Sequence, residues 1–221
     1  MKYKNTVIAV VLVVLLAAAG GWYYFSSGKS AAPAGAGDTV ATVNGENIVR
    51  SDLTAAEAQI TAQQGAATTS DAQAQVQSQA LDSLISQKLL AQAAKQAGVT
   101  ASSTEVAAQL QAEKAQFKDD ASYQQALVAQ GMTEADLEAQ ITANVAIDDY
   151  LYQTLNLSSV TASDAEIQAA YNAAIVGQTN VPALADVRDQ VEQSVIQQKQ
   201  QTLVQAQVQK LRSAADVKIL I

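Results

Sequence analysis

From Val7 to Phe25 the chain reads VIAVVLVVLLAAAGGWYYF without a single charge. No other feature restricts its fate so firmly, because about 20 consecutive apolar residues are what a helix needs to cross the hydrocarbon of a bilayer. Lys2 and Lys4 stand before the run and the aromatic cluster Trp22, Tyr23, Tyr24 and Phe25 closes it. Positive charge is retained on the cytoplasmic side and aromatic rings settle at the far interface, so residues 1–6 are expected inside. Residues 7–25 are then a transmembrane signal anchor, which puts the rest of a single-pass chain outside the cytoplasmic membrane. The alternative is a cleaved signal peptide, with residues 7–16 as its apolar core and Ala17-Ala18-Ala19 as the small-x-small cleavage site. Cleavage would release a secreted or periplasmic product. The apolar run continues past Ala19 into the aromatic belt, which favours the anchor. A lipoprotein is excluded, because there is no cysteine to acylate.

Residues 26–37, SSGKSAAPAGAG, hold nothing large enough to bury and read as a flexible linker. A domain composition begins at Asp38 and continues to Ile221. That part carries 10 basic against 21 acidic residues. Such a surface repels phosphate backbones, so no nucleic acid is expected as a partner. The chain has neither cysteine nor histidine. Disulfides, thiolate metal sites, the usual zinc ligands and the commonest general base all go with them. No cofactor, metal or catalytic residue is expected.

The fold is expected to be mainly α. Residues 39–43 and 46–49 are rich in β-branched side chains and flank Asn44-Gly45, the strongest short hairpin signal. Ser51 suits the N-cap of a helix ending at Gly65, and a longer helix over 71–97 carries Val76, Ala80, Leu81, Leu84, Ile85 and Leu89 on one stripe before Gly98. Ser102 with Glu105, Thr133 with Asp136, and Ser163 with Glu166 each have the spacing of a reciprocal capping box, opening further helices. A short helix over 122–130 stops at Gly131. A long helix over 183–215, with Leu184, Val187, Val191, Val195, Leu203 and Leu211 on its apolar face, precedes the β-prone pentad 217–221. That pentad is expected to join the hairpin, giving a small β element that links the two ends of an extended multi-helix domain.

The ordered pieces ATVNGENIVRSDL, ALDSLISQKLLAQAAKQAGVTAS, SDAEIQAAYNA and VRDQVEQSVIQQKQQTLVQAQVQKLR resemble the bacterial SurA/PrsA foldases over residues 39–221. In that family such pieces build the N-terminal-like chaperone domain, with the last helix returning to complete it. The relatives carry a parvulin-type prolyl isomerase domain between the two final segments. Here only residues 172–181 lie between them, far below the size of a stable catalytic domain. The resemblance therefore implies a chaperone domain without isomerase activity.

Two features invite a chemical reading. The acidic pairs Asp119-Asp120 and Asp148-Asp149 lack calcium-loop spacing and read as solvated helix ends. Phe117, Tyr123, Leu127 and Met132 fall at a junction of helices, where aromatic and thioether side chains suit adaptable contact with peptides. The plainer reading is that they plug the core at that junction. Together these observations lead to the expectation of a membrane-anchored extracytoplasmic holdase, independent of ATP, for unfolded or newly exported polypeptides. The alternative is an envelope adaptor that binds one dedicated protein partner.

Overall fold

The computed structural model describes residues 39–65, 69–129, 132–179 and 181–221. The apolar run at 7–25 and the linker at 26–37 lie outside them. Among the described residues no helix is long and apolar enough to cross a membrane.

Strands β1 (Thr39–Val43) and β2 (Glu46–Val49) form the expected hairpin, with Val43 opposite Glu46. Its two-residue turn has Asn44 at φ 51° and Gly45 at φ 83°. Both angles lie in the left-handed region, whose backbone twist matches that of the flanking strands and which Asn and Gly tolerate best. Helix α1 (Arg50–Gln64) follows directly and stops at Gly65, where φ is 91°. Ser51 is not its N-cap, contrary to the expectation from sequence. Val49 occupies that position, and Asp52 reaches back to the Val49 N–H, so the helix starts earlier than the serine suggests.

Helix α2 (Ser70–Gln96) is the central beam, its first turn capped by the Thr69 hydroxyl, which accepts from the Ala72 N–H at 3.2 Å. One face, with Leu81, Ile85 and Leu89, packs under the sheet against Val40, Val43, Ile48 and Leu53. The other, with Leu90, Ala93 and Ala94, packs on Ile147, Tyr150, Leu151 and Leu157. Burying a leucine or isoleucine side chain in this way contributes about 2 to 3 kcal/mol.

Helix α3 (Ser103–Lys114) leads by a turn into α4 (Asp120–Ala129), then α5 (Glu134–Leu155), a 3-10 turn (Leu157–Ser159) and α6 (Asp164–Ala174). The capping boxes at Thr133/Asp136 and Ser163/Glu166 both form in full. The one expected at Ser102 and Glu105 does not: Ser102 is the N-cap, but its side chain makes no capping hydrogen bond.

The final helix α7 (Leu184–Ala214) packs against α2, α5 and α6. It is held to α6 by ion pairs of Arg188 with Asp164 and of Lys199 with Glu166. Leu203 is exposed, and Val204, Val208 and Leu211 turn inward in its place. Strand β3 (Val217–Ile219) then pairs antiparallel with β1, Val43 opposite Val217 and Ala41 opposite Ile219, giving the order β2-β1-β3. The two ends of the described domain therefore share one sheet. Mainly helical with a small sheet, this architecture follows the expected fold class.

Candidate functional site

The α3–α4–α5 junction is built by local rules. Helix α3 ends where the Ala115 N–H bonds back to the Gln111 carbonyl, and the Phe117 N–H closes on the Lys114 carbonyl at 3.1 Å. The carboxylate of Asp119 then accepts from the Ser122 N–H at 2.8 Å and from its hydroxyl at 2.7 Å. These bonds hold the Asp119 carboxyl below the usual range and start α4. After α4 the Met132 N–H returns to the Leu127 carbonyl at 2.9 Å, and the Thr133 box launches α5.

This geometry brings all four residues singled out in the sequence together. Tyr123, Leu127 and Met132 form a buried cluster with Leu137 packed on it. The Phe117 ring meets that of Tyr123 edge-on, with centroids 5.6 Å apart and planes at 65°. Between α3, α4 and α5 lies a cavity of about 300 Å³ lined by all four residues. Its lining also includes Leu137, Gln140, Ile141 and Asn144, on the face that α5 turns toward it. Leu137 and Ile141 stand at helical spacing in the sequence, which is signal enough to find them; the two amides carry none. Of the four, Phe117 is the one exposed, at 36% of its full surface. The residues are thus both a plug of the junction and the wall of a hollow in it.

The rim is charged. The Lys114 ammonium pairs with Glu134 at 2.7 Å and stands 5.3 Å from the centre of the Tyr123 ring. The Tyr123 hydroxyl is buried with no hydrogen-bond partner, and burial, reinforced by Glu134, pushes its phenol above the ordinary value. A volume near 300 Å³ stands at the lower end of ligand pockets and suits one or two apolar side chains.

The second acidic pair departs from the expectation of a solvated helix end. Asp148 lies inside α5, 8% exposed, and one of its carboxylate oxygens has no partner. Burial, with Asp149 adding to it, pushes its carboxyl up to about 7. One turn on, the buried Tyr152 hydroxyl is also unpartnered and is pushed up to about 12 by burial and by Asp148. Under the sheet, burial raises Asp52 to about 6 and lowers Lys88 to about 8, although Lys88 bonds the Asn47 carbonyl at 2.8 Å and faces Glu46 at 3.4 Å. Among the described residues no group of three or more carboxylates is placed to hold a metal ion.

The model of one protein family, the SurA-like N-terminal domain, matches residues 2–151, and no parvulin domain is detected. No curated protein matches the chain closely enough to stand as a relative. The match takes in the hairpin, α1 to α4 and most of α5, including every residue that lines the cavity. Its span is more than half of the 221 residues, and the chain belongs to the SurA-like N-terminal domain family.

Proposed function

We propose that this protein is a membrane-anchored, extracytoplasmic holdase that binds unfolded or newly exported polypeptides without ATP and without prolyl isomerase activity. The observation that carries the reading is the SurA-like N-terminal domain, which suggests a chaperone-type or peptide-binding role. The cavity beside Phe117 supports it, because an apolar hollow with an exposed aromatic at its edge retains a client side chain by burying area alone. Residues 7–25 serve in this reading as the anchor and 26–37 as the tether, placing 38–221 outside the membrane. Isomerisation asks for more than binding. Its barrier of about 18 to 20 kcal/mol must be lowered by polar groups fixed around the prolyl bond. The segment 175–183, which joins α6 to α7, is too short to house them.

Two assays on the same preparation test this. Light scattering of several unfolded clients should fall at a several-fold excess of the protein, and the proline-limited phase of a refolding substrate should keep its rate. Acceleration of that phase would refute the absence of isomerase activity. One observation favours the second reading, an adaptor for a dedicated partner: the cavity is confined and not a broad open groove. Absence of suppression over varied clients would select it.

A further inference from the structure

The cavity has a charge asymmetry that narrows what it accepts. Glu113 lines it and takes hydrogen bonds from two neutral donors, Gln109 at 3.3 Å and Gln116 at 3.1 Å, which leave its charge in place. Asp120 opens α4 on the other side of the same turn. Lys114, the cation that stands over the Tyr123 ring, is already paired with Glu134. In the connecting turn Lys118 and Asp119 offset one another in formal charge. The stretch from Glu113 to Asp120 together with Glu134 therefore carries four acidic residues against two basic ones, with the charge of Asp120 acting on both Lys114 and Tyr123, on a domain whose net charge is negative. The interior is not purely apolar either. Asn144 sits beside Leu137 and Ile141 on the α5 side, an amide of the kind that can hydrogen-bond a peptide backbone.

We infer that the cavity between α3, α4 and α5 selects polypeptide segments in which an apolar side chain is flanked by lysine or arginine. The apolar group enters beside Phe117, and the flanking cations lie against Glu113 and Asp120 at the rim. Acidic flanks are rejected by like-charge repulsion, so the surface discriminates as well as binds. This inference rests on the proposed polypeptide-binding function and gives it a substrate class.

The test uses full-length protein in lipid nanodiscs and fluorescently labelled peptides that share a Leu-Ala-Phe core, flanked on both sides by lysines, glutamines or glutamates. Anisotropy titration at low salt should show the lysine-flanked peptide binding on the order of ten-fold tighter than the glutamate-flanked one, with glutamine between them. The preference should collapse at about 0.5 M salt, where exposed charges are screened. The double variant Glu113→Gln, Asp120→Asn should cut it at least three-fold while leaving thermal unfolding unchanged. Equal affinity for all three peptides would overturn the charge selection and leave polypeptide binding standing. A preference that the double variant does not alter would overturn the assignment to this rim. No binding of any peptide would overturn both the inference and the function beneath it.

Discussion

Asn44 and Asp216, 172 residues apart in the chain, exchange two hydrogen bonds. The Asn44 N–H donates to the Asp216 carbonyl at 2.8 Å, and the Asp216 N–H donates to the Asn44 side-chain oxygen at 2.9 Å. The other half of the Asn44 amide donates to Gln92 on α2 at 2.7 Å, and Gln92 in turn donates to the Val43 carbonyl at 3.1 Å. One turn residue thus ties the hairpin, the central helix and the last strand together. Asn44→Gly keeps the left-handed turn but loses both side-chain bonds, each worth about 1 kcal/mol. A loss of about 2 kcal/mol in urea denaturation is expected; a loss within error would show that the link is not structural.

Removing residues 217–221 should cost more than that substitution. The deletion takes away β3, its ladder to β1 and the bond from the Leu220 N–H to the Val40 carbonyl at 2.9 Å. It also uncovers the buried side chains of β1. Thermal unfolding should shift down for the whole domain in one transition. An unchanged midpoint is what a loose tail would give.

Asp148 makes stability depend on pH. Its folded-state carboxyl is raised from 3.8 to about 7, so the folded chain holds that proton more tightly than the unfolded chain does. The stabilisation from this proton is complete below pH 4 and is lost as pH climbs through 7. The loss amounts to a few kcal/mol at most, since each tenfold difference in proton affinity between the two states is worth about 1.4 kcal/mol. Asp148→Asn, which cannot ionise, should therefore unfold at a higher temperature than the parent at pH 8. The gain should shrink toward pH 4. A gain of the same size at both values would locate the effect in packing and not in ionisation.

Much of this fold is legible from local signals. Asn44-Gly45 names its own turn, and Thr133/Asp136 and Ser163/Glu166 fix helix starts through bonds three residues apart. Ser51 and Ser102 carry similar signals and fail as side-chain caps, because the chain entering each helix sets whether the hydroxyl can reach. Spacing along α7 misplaces Leu203 by one residue, since an ideal repeat drifts over a helix of 31 residues. Burial of Asp148, Lys88 and Gln200 is not legible at all. A stripe of apolar residues assigns polar ones to solvent, yet Gln200 lies inside and bonds the Leu157 carbonyl at 2.9 Å. Phe117, Tyr123, Leu127 and Met132 stand out because large side chains are scarce in this alanine-rich chain. That they enclose a hollow depends on how α3, α4 and α5 meet, which no spacing records.

Tyr123 tests the packing at that junction without touching its charge. Its buried hydroxyl has no partner, so Tyr123→Phe removes an unpaired polar atom and keeps the edge-on contact with Phe117. Stability should hold or rise by about 1 kcal/mol. A fall of that size in chemical denaturation would show that the hydroxyl is satisfied in solution.

If this SurA-like domain holds polypeptides at the cavity beside Phe117, one light-scattering measurement tests it most directly. Phe117 is the right residue to change, because it is exposed while Met132 and Leu127 are buried, and Met132→Ser would cost about 2 to 4 kcal/mol of core stability. Wild-type protein and Phe117→Ser are compared at equal several-fold excess over aggregating clients, with thermal unfolding recorded for both. Suppression by the wild type is expected, with clearly weaker suppression by the variant at an unchanged unfolding temperature. No suppression by the wild type, or full suppression by the folded variant, would contradict a polypeptide-holding role for this cavity.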